Sequence, residues 1–222
     1  MSLSGVPPSR LLSPLRLQKA NLLRAKHQVI VMYITIRSQY VNSHLSTHYS
    51  ITVYGAGFPA FVAKQPSAFV ADASELAQFD WALERVTEKV DAPVLSFSAL
   101  SNIAPEDWPR VYFTLHPSVL TFTVNHDVVA CWQALQDSKT ALQAFAKPAL
   151  CVVWCSDKVH SCYWQLHDNE RIIFELFQAG QHFSDVCEHL LEYFPEECIA
   201  PTIIDCLRQW LDNGMFSTFD LR

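Results

Sequence analysis

The sequence contains no apolar run near the ~20 residues that a membrane-spanning helix needs, no C-x-x-C pair, and no acidic residue in its first fifty positions. The longest apolar stretch, "HQVIVMYITI" (His27 to Ile36), is β-branched and reads as a strand or buried segment. Without C-x-x-C pairs, the seven cysteines (Cys131, Cys151, Cys155, Cys162, Cys187, Cys198 and Cys206) carry no common zinc or redox spacing. Their odd number fits reduced thiols packed as small hydrophobes, and so a cytoplasmic setting, better than a disulfide framework. The missing acids leave residues 1–50 with Arg10, Arg16, Lys19, Arg24, Lys26 and Arg37 uncompensated, although the whole chain carries −6. A basic, Pro- and Ser-containing head is compatible with a nucleic-acid arm, a targeting presequence, an irregular terminus, or residues ahead of the true start.

What is present is apolar: 50% of 222 residues, enough for one large domain or two small ones. "MSLSGVPPSRLLSPL" reads as irregular, the stretch from Arg16 to Leu45 has room for one or two helices, and "STHYS" reads as a loop. Phe58 to Ala63 reads as a short helix with Pro59 near its start. Asp72 to Val90 gives the clearest helix: Leu76, Phe79, Leu83 and Val86 recur three and four apart, and Asp72 or Ser74 can cap it. "DAPVLSFSALSNIAPEDWPR" then reads as a linker, turning at Pro93 and Pro105. It divides a mainly helical region, 1–100, of which 1–32 is atypical, from a second domain, 101–222.

In the second domain Val111 to Val124 alternates as strand, broken at Pro117, and "DVVACWQALQ" reads as a short helix. "LCVVWCSDKVHSCYWQL" reads as a β-hairpin around Ser156-Asp157-Lys158. Three helices follow. The first is capped by Asp168 or Asn169 and stopped by Gly180. The second is capped by Ser184, with Phe183, Val186, Leu190 and Phe194 on one side. The third places Ile203, Leu207, Trp210 and Leu211 on one face and stops at Gly214. "MFSTF" closes as a strand. The expected fold class is α+β, a helical N-terminal region followed by a winged-helix-like domain.

"SITVYGAGFPAF" (Ser50 to Phe61) spells a strand running into G-x-G-x-x-A, one form of the dinucleotide-binding fingerprint. That fold needs a long helix after the glycines and an acid at the tip of a second strand about 20 residues on. Here Pro66 intervenes, and Asp72, Glu75 and Asp80 fall on a helix. The expectation is a turn that uses Gly55 and Gly57 for unusual φ/ψ, with Phe58 and Phe61 packing inward, and no cofactor.

The spaced segments "YGAGFPAFVA", "FVADASELAQFDWALERV", "LHPSVLTF" and "ACWQAL", in that order, resemble the HvfC/BufC-type family. The resemblance spans about residues 38–222 and rests on Tyr54, Gly55, Gly57, Phe58, Pro59, Phe61, Asp80, Trp81, His116, Pro117 and Trp132. The family usually has a longer N-terminal helical domain, and often Glu where this chain has Asp80. Its members, long described as putative DNA-binding proteins, are non-catalytic partners of multinuclear non-haem iron oxygenases that modify cysteines in ribosomally made, metal-binding peptides. The resemblance therefore implies two partners, a precursor peptide and an iron oxygenase.

A winged helix reads DNA with its third helix, or binds a peptide that adds as a strand beside its hairpin. Charge separates the two. From Asp168 to Arg222 there are three basic residues (Arg171, Arg208, Arg222) and eleven acids. Such a surface repels phosphate, so a peptide or protein partner is the leading reading and a DNA-binding regulator the alternative. The expected peptide-contacting residues are Ser161, Tyr163 and Gln165 on the second hairpin strand with Ile203 and Arg208 on the third helix. His116, before Pro117, is a structural hydrogen-bonder that also fits an interface.

Catalysis has weaker signals. Cys155, His160 and Cys162, and His167, Asp168 and Glu170, are the densest clusters, and Cys155 and Cys162 flank the hairpin turn. Zinc needs three or four ligands in matched geometry. Alternation instead sends His160, Cys162 and Trp164 to one face and Ser161, Tyr163 and Gln165 to the other. His182 and Cys187, five apart, miss the i, i+4 spacing of a shared helix face. The expectation is no catalytic residue and no metal. The six tryptophans and fourteen phenylalanines read mostly as core, with a surface subset available to a partner.

Overall fold

The structure, a computed structural model, describes residues 35–46, 50–65, 70–88, 92–137, 144–156 and 160–221. The atypical segment 1–32, positions 27–34 of the apolar stretch, and the turn residues Asp157 and Lys158 lie outside the described residues. Thr35 and Ile36, the end of that stretch, are helical rather than extended.

Helix α1 is described over residues 35–43. It is followed by α2 (Ile51–Gly55), α3 (Phe58–Ala63) and α4 (Val70–Val86). The strand expected at Ile51–Tyr54 is therefore a helix. Ser50 supplies the reason: in extended conformation, it accepts a hydrogen bond from Val53 N (3.3 Å) and starts a turn that outweighs the β-propensity of Ile-Thr-Val-Tyr. α3 opens with proline in its first turn, as the sequence suggests. α4 begins at Val70, so Asp72 and Ser74 lie inside it, and the Ser74 hydroxyl donates to Pro59 O instead (3.1 Å).

Beyond two short 3₁₀ turns (Phe97–Asn102 and Trp108–Arg110), β1 (Val111–Leu115) and β2 (Leu120–His126) are separated by the break at His116–Val119. The break sends them to different sheets: β1 pairs antiparallel with the closing strand β5 (Phe216–Leu221), while β2 joins the hairpin of β3 (Ala144–Ser156) and β4 (His160–Leu166) in the order β2-β3-β4. α5 (Val128–Asp137) follows β2. α6 (Asp168–Gln178), α7 (Phe183–Leu190) and α8 (Glu196–Asp212) follow β4.

The helix stops are as expected, with Gly180 (φ 77°) and Gly214 (φ 75°) in the left-handed region. The starts are not. α6 takes His167 as N-cap without a side-chain cap bond, and Asp168, already within the helix, has φ 44°. α7 begins at Phe183 on an N-cap His182 whose N–H donates to Asp185 Oδ2 (3.1 Å), so Ser184 lies inside.

Both faces of the three-stranded sheet are covered, as the period-2 alternation of β3 requires. Leu150, Val152 and Trp154 share a core with α6, α7 and α8, through Phe174, Phe177, Leu190, Ile203 and Trp210 among others. Leu95, Leu100, Val111, Phe113 and Phe216 belong to the same cluster. Ala149, Cys151 and Val153 face the other way, onto Phe79, Ala82, Leu83 and Val86 of α4 and Val128 of α5. A third cluster joins Ile36 and Tyr40 of α1, Phe58 and Val62 of α3, and Ala77 of α4. α4 is thus shared between two cores, one side on the sheet and one on the short helices. Among the described residues no helix is long and apolar enough to cross a membrane.

Candidate functional site

Residues of "YGAGFPAFVA" and "FVADASELAQFDWALERV" meet at one place, which His116 and Pro117 of "LHPSVLTF" do not join. α2 is held against α4 by the Trp81 indole, whose Nε1 donates to Thr52 O (2.8 Å). Thr52 Oγ1 donates to Glu88 Oε1 (2.6 Å), and that bond, joined by Ser50 and Arg85, holds the Glu88 carboxyl below the usual range. Tyr40 Oη donates to Tyr54 O, and Tyr54 Oη to His44 O, each at 2.7 Å. Burial and the neighbouring Tyr54 push the Tyr40 phenol up.

Neither glycine of "YGAG" has a positive φ; Gly57 sits at φ −82°, ψ −11°. This corrects the expectation of unusual φ/ψ: the glycines are present for space. A Cβ on Gly57 would lie 2.9 Å from Tyr40 Oη, and one on Gly55 would lie 3.4 Å from Trp81 Cδ1. Gly57→Ala should therefore cost about 1–2 kcal/mol, because the displaced Tyr40 loses its hydrogen bond and this outweighs the ~0.4–1 kcal/mol that alanine gains through the unfolded chain. In a Tyr40→Phe background the cost should fall below ~0.5 kcal/mol. Urea unfolding of the four proteins in the cycle checks this, and an undiminished cost in that background would refute the steric account.

Around these contacts lies a cleft of about 370 Å³, lined by Arg37, Tyr40 and Val41 of α1, Thr52, Tyr54 and Gly55 of α2, Phe58 of α3, and Ala77, Asp80, Trp81 and Glu84 of α4. Its charged residues, Arg37, Asp80 and Glu84, are all exposed. Close by, Val41 (51%), Leu45 (90%) and Val53 (40%) leave large apolar side chains in water. Trp132 of α5 ties in from the sheet side, its Nε1 3.4 Å from Asp80 Oδ1. The motif residues Pro59 and Phe61 belong to α3, with Phe61 packed on the Tyr40 ring. Arg37, Tyr40 and Glu84 escape the sequence reading, although i, i+3, i+4 spacing on α1 and α4 (37, 40, 41; 77, 80, 81, 84) marks the two facing stripes.

The residues expected to contact a peptide are not brought onto one surface. Tyr163 points to the α4–α5 side, packed on Phe79 (5.3 Å) and Trp132 (6.0 Å), and its hydroxyl accepts from Gln133 Nε2 (3.1 Å). Ser161 and Gln165, two residues either way along β4, share that face, and the buried Gln165 Nε2 has no hydrogen-bond partner. Ile203 is fully buried on the opposite side of the sheet. Arg208 is exposed on α8, its guanidinium 4.8 Å above the Phe97 ring.

His116 is a buried clamp. Nδ1 accepts from Ser118 N (3.2 Å) and faces Ser118 Oγ (2.8 Å), which itself accepts from Cys155 N (3.2 Å). This leaves the proton on Nε2, directed at Ala92 O (3.3 Å). Pro117 sits in the adjoining turn between β1 and β2.

Cys155 and Cys162, which flank the hairpin turn, face opposite sides of the sheet. Burial pushes the Cys151 thiol up to about 12. Cys206 is also raised to about 12, by burial first and then by the charges of Glu170 and Asp205, and burial raises Cys187. Glu170, raised by burial, lies 3.4 Å from the Trp210 indole nitrogen, while Asp168 pairs with Lys147 (3.4 Å). Among the described residues no three His, Cys, Asp or Glu side chains are grouped to hold a metal ion. No protein-family model matches the chain, and no curated protein matches it.

Proposed function

We propose that this chain is a non-catalytic binding partner, of the HvfC/BufC type that its motifs resemble, holding a ribosomally made precursor peptide and an iron-dependent oxygenase together in the cytoplasm during cysteine modification. The observation that carries the reading is the convergence of Tyr54, Gly55, Phe58, Asp80 and Trp81, dispersed in sequence, around one cleft beside the exposed Val41, Leu45 and Val53. An aromatic-lined concavity beside exposed apolar side chains is the anatomy of a recognition surface. Burial raises the Cys151, Cys187 and Cys206 thiols, which disfavours these three as nucleophiles or metal ligands.

The hairpin β3–β4 with α6, α7 and α8 on one face reads as a winged-helix-like unit. Within the described sheet β4 pairs only with β3, so its other edge offers backbone groups for an added peptide strand. Chemistry would belong to the oxygenase, and this chain would supply orientation. Eleven acids against three basic residues from Asp168 onward weigh against a duplex on the same unit.

Co-expression with a candidate oxygenase and its precursor peptide tests the reading: a ternary complex that co-purifies is expected. A gel-shift on duplex DNA is the counter-test. Tight binding that falls steeply with salt would overturn the partner reading in favour of a DNA-binding regulator.

A further inference from the structure

We infer that the cleft between α1 and α4 seats one aromatic or large aliphatic side chain of a partner peptide, whose flanking residues carry opposite charges and meet Arg37 on one rim and Glu84 on the other. The inference deepens the peptide-binding reading and rests on it. The cleft offers rings rather than donors, because the hydroxyls of Tyr40 and Tyr54 and the indole N–H of Trp81 all donate to backbone carbonyls of the same unit. The Thr52 hydroxyl donates to Glu88, and Asp80 is engaged by Trp132 Nε1 (3.4 Å) and by a further interaction. Arg37 on α1 and Glu84 on α4 remain. Both are exposed, and among the described residues neither pairs with the other or with any other charged side chain.

A ring-lined floor suits an apolar side chain, which gains by leaving water and by edge-on contact with aromatic rings. The volume of about 370 Å³ stands near the lower end of ligand pockets, room for one side chain rather than a helix. Charge sets which segment fits. In an extended peptide the residues before and after the anchor lie roughly 7 Å apart, close to the ~8–10 Å between packed helices. An acidic neighbour can therefore meet the Arg37 guanidinium while a basic one meets the Glu84 carboxylate. A segment with two like charges would gain on one rim and be repelled at the other.

The probes are the capped tripeptides Ac-Glu-Phe-Lys-NH2 and Ac-Lys-Phe-Glu-NH2, with Ac-Ala-Phe-Ala-NH2 and Ac-Glu-Ala-Lys-NH2 as controls. Each is titrated into the 15N-labelled full chain and followed by the amide shifts of α1, α2 and α4. One order of the charged Phe peptides should bind saturably, about two- to fivefold tighter than the uncharged Phe peptide and at least about tenfold tighter than the Ala-anchored one. Singly charged relatives, with Ala in place of Glu or of Lys, assign the rims. Arg37→Ala should remove the advantage that Glu confers and spare that of Lys, and Glu84→Gln should do the reverse. Equal binding of the Phe- and Ala-anchored peptides, or charge effects that survive both substitutions, would overturn the inference. So would concentration-dependent shifts of the same amides without peptide, which would put a second copy of this chain in the cleft. Wild-type chain that captures oxygenase and precursor but binds no Phe peptide removes the cleft assignment and leaves the partner reading standing. Loss of both removes both.

Discussion

Trp210→Ala should lower the unfolding free energy by about 3–5 kcal/mol, the largest effect expected of any single change in α8. Trp210 is fully buried and meets the Phe174 ring edge-on at 5.0 Å, at the point where α6, α8 and β5 come together. Truncation removes that area and leaves a void bounded by a sheet on one side and helices on the other, neither of which can close it cheaply. Trp210→Phe separates volume from hydrogen bonding and should cost only about 1–2 kcal/mol. Its cost should also depend on pH. Burial holds the Glu170 carboxyl above its usual range, so the folded state favours the protonated form, and Glu170's contribution is lost as pH rises through its folded pKa. The Trp210 N–H opposes that rise by stabilising the anion, so removing it penalises the ionised state. The gap between wild type and Trp210→Phe should therefore be wider at pH 7 than at pH 4. Urea midpoints at both pH values, with unchanged slopes, measure this; a gap that narrows towards neutrality would refute it.

Glu75→Ala should cost about 2–4 kcal/mol, although the residue is not a member of the three apolar clusters. Its carboxylate, on α4, accepts from the backbone N–H groups of Asn125 and His126 (3.1 Å each), from Asn125 Nδ2 (2.9 Å) and from His126 Nδ1 (3.1 Å). One side chain thus ties α4 to the end of β2, where the pairing with β3 shifts register between Val124 and His126. Removal takes away these bonds and loosens the docking of α4 on the sheet. Glu75→Gln keeps one carbonyl acceptor and should lose less than half as much. Amide exchange at Asn125 and His126 reads the same event locally; protection that survives Glu75→Ala would sink the account.

Much of this architecture was legible in the residues, and the misreadings have physical causes. Leu76, Phe79, Leu83 and Val86 announce α4, and Ile203, Leu207, Trp210 and Leu211 announce α8, because a buried helix face must repeat at helical spacing. α2 was misread because β-branched residues favour strand locally, and only its packing on Trp81 and the Ser50 cap reverse this. Pairing partners were not legible: nothing near Val111 indicates that its neighbour is Leu221 rather than a strand of the adjoining hairpin. The alternation that separates Tyr163 from Trp164 was read correctly, but which face the third helix covers depends on chain path, so Tyr163 and Ile203 were assigned to one surface and lie on two. Of the cleft, Tyr54, Gly55, Phe58, Asp80 and Trp81 were marked by resemblance, whereas Arg37, Tyr40 and Glu84 emerge only when α1 and α4 face each other.

The β1–β5 ribbon has a consequence for biosynthesis. Tyr112 and its partner Asp220 are 108 residues apart, so at roughly 5–20 residues per second β1 leaves the ribosome about 5–20 s before its complement. During that interval Val111 and Phe113, fully buried at the end, have no strand beside them. The α1–α4 helices emerge before β1 and the strands β2, β3 and β4 within that interval, and their contacts do not need β5. Maturation of the nascent chain should thus run from the cleft towards the ribbon, with the high-contact-order pairing last and the window for misassociation set by translation speed.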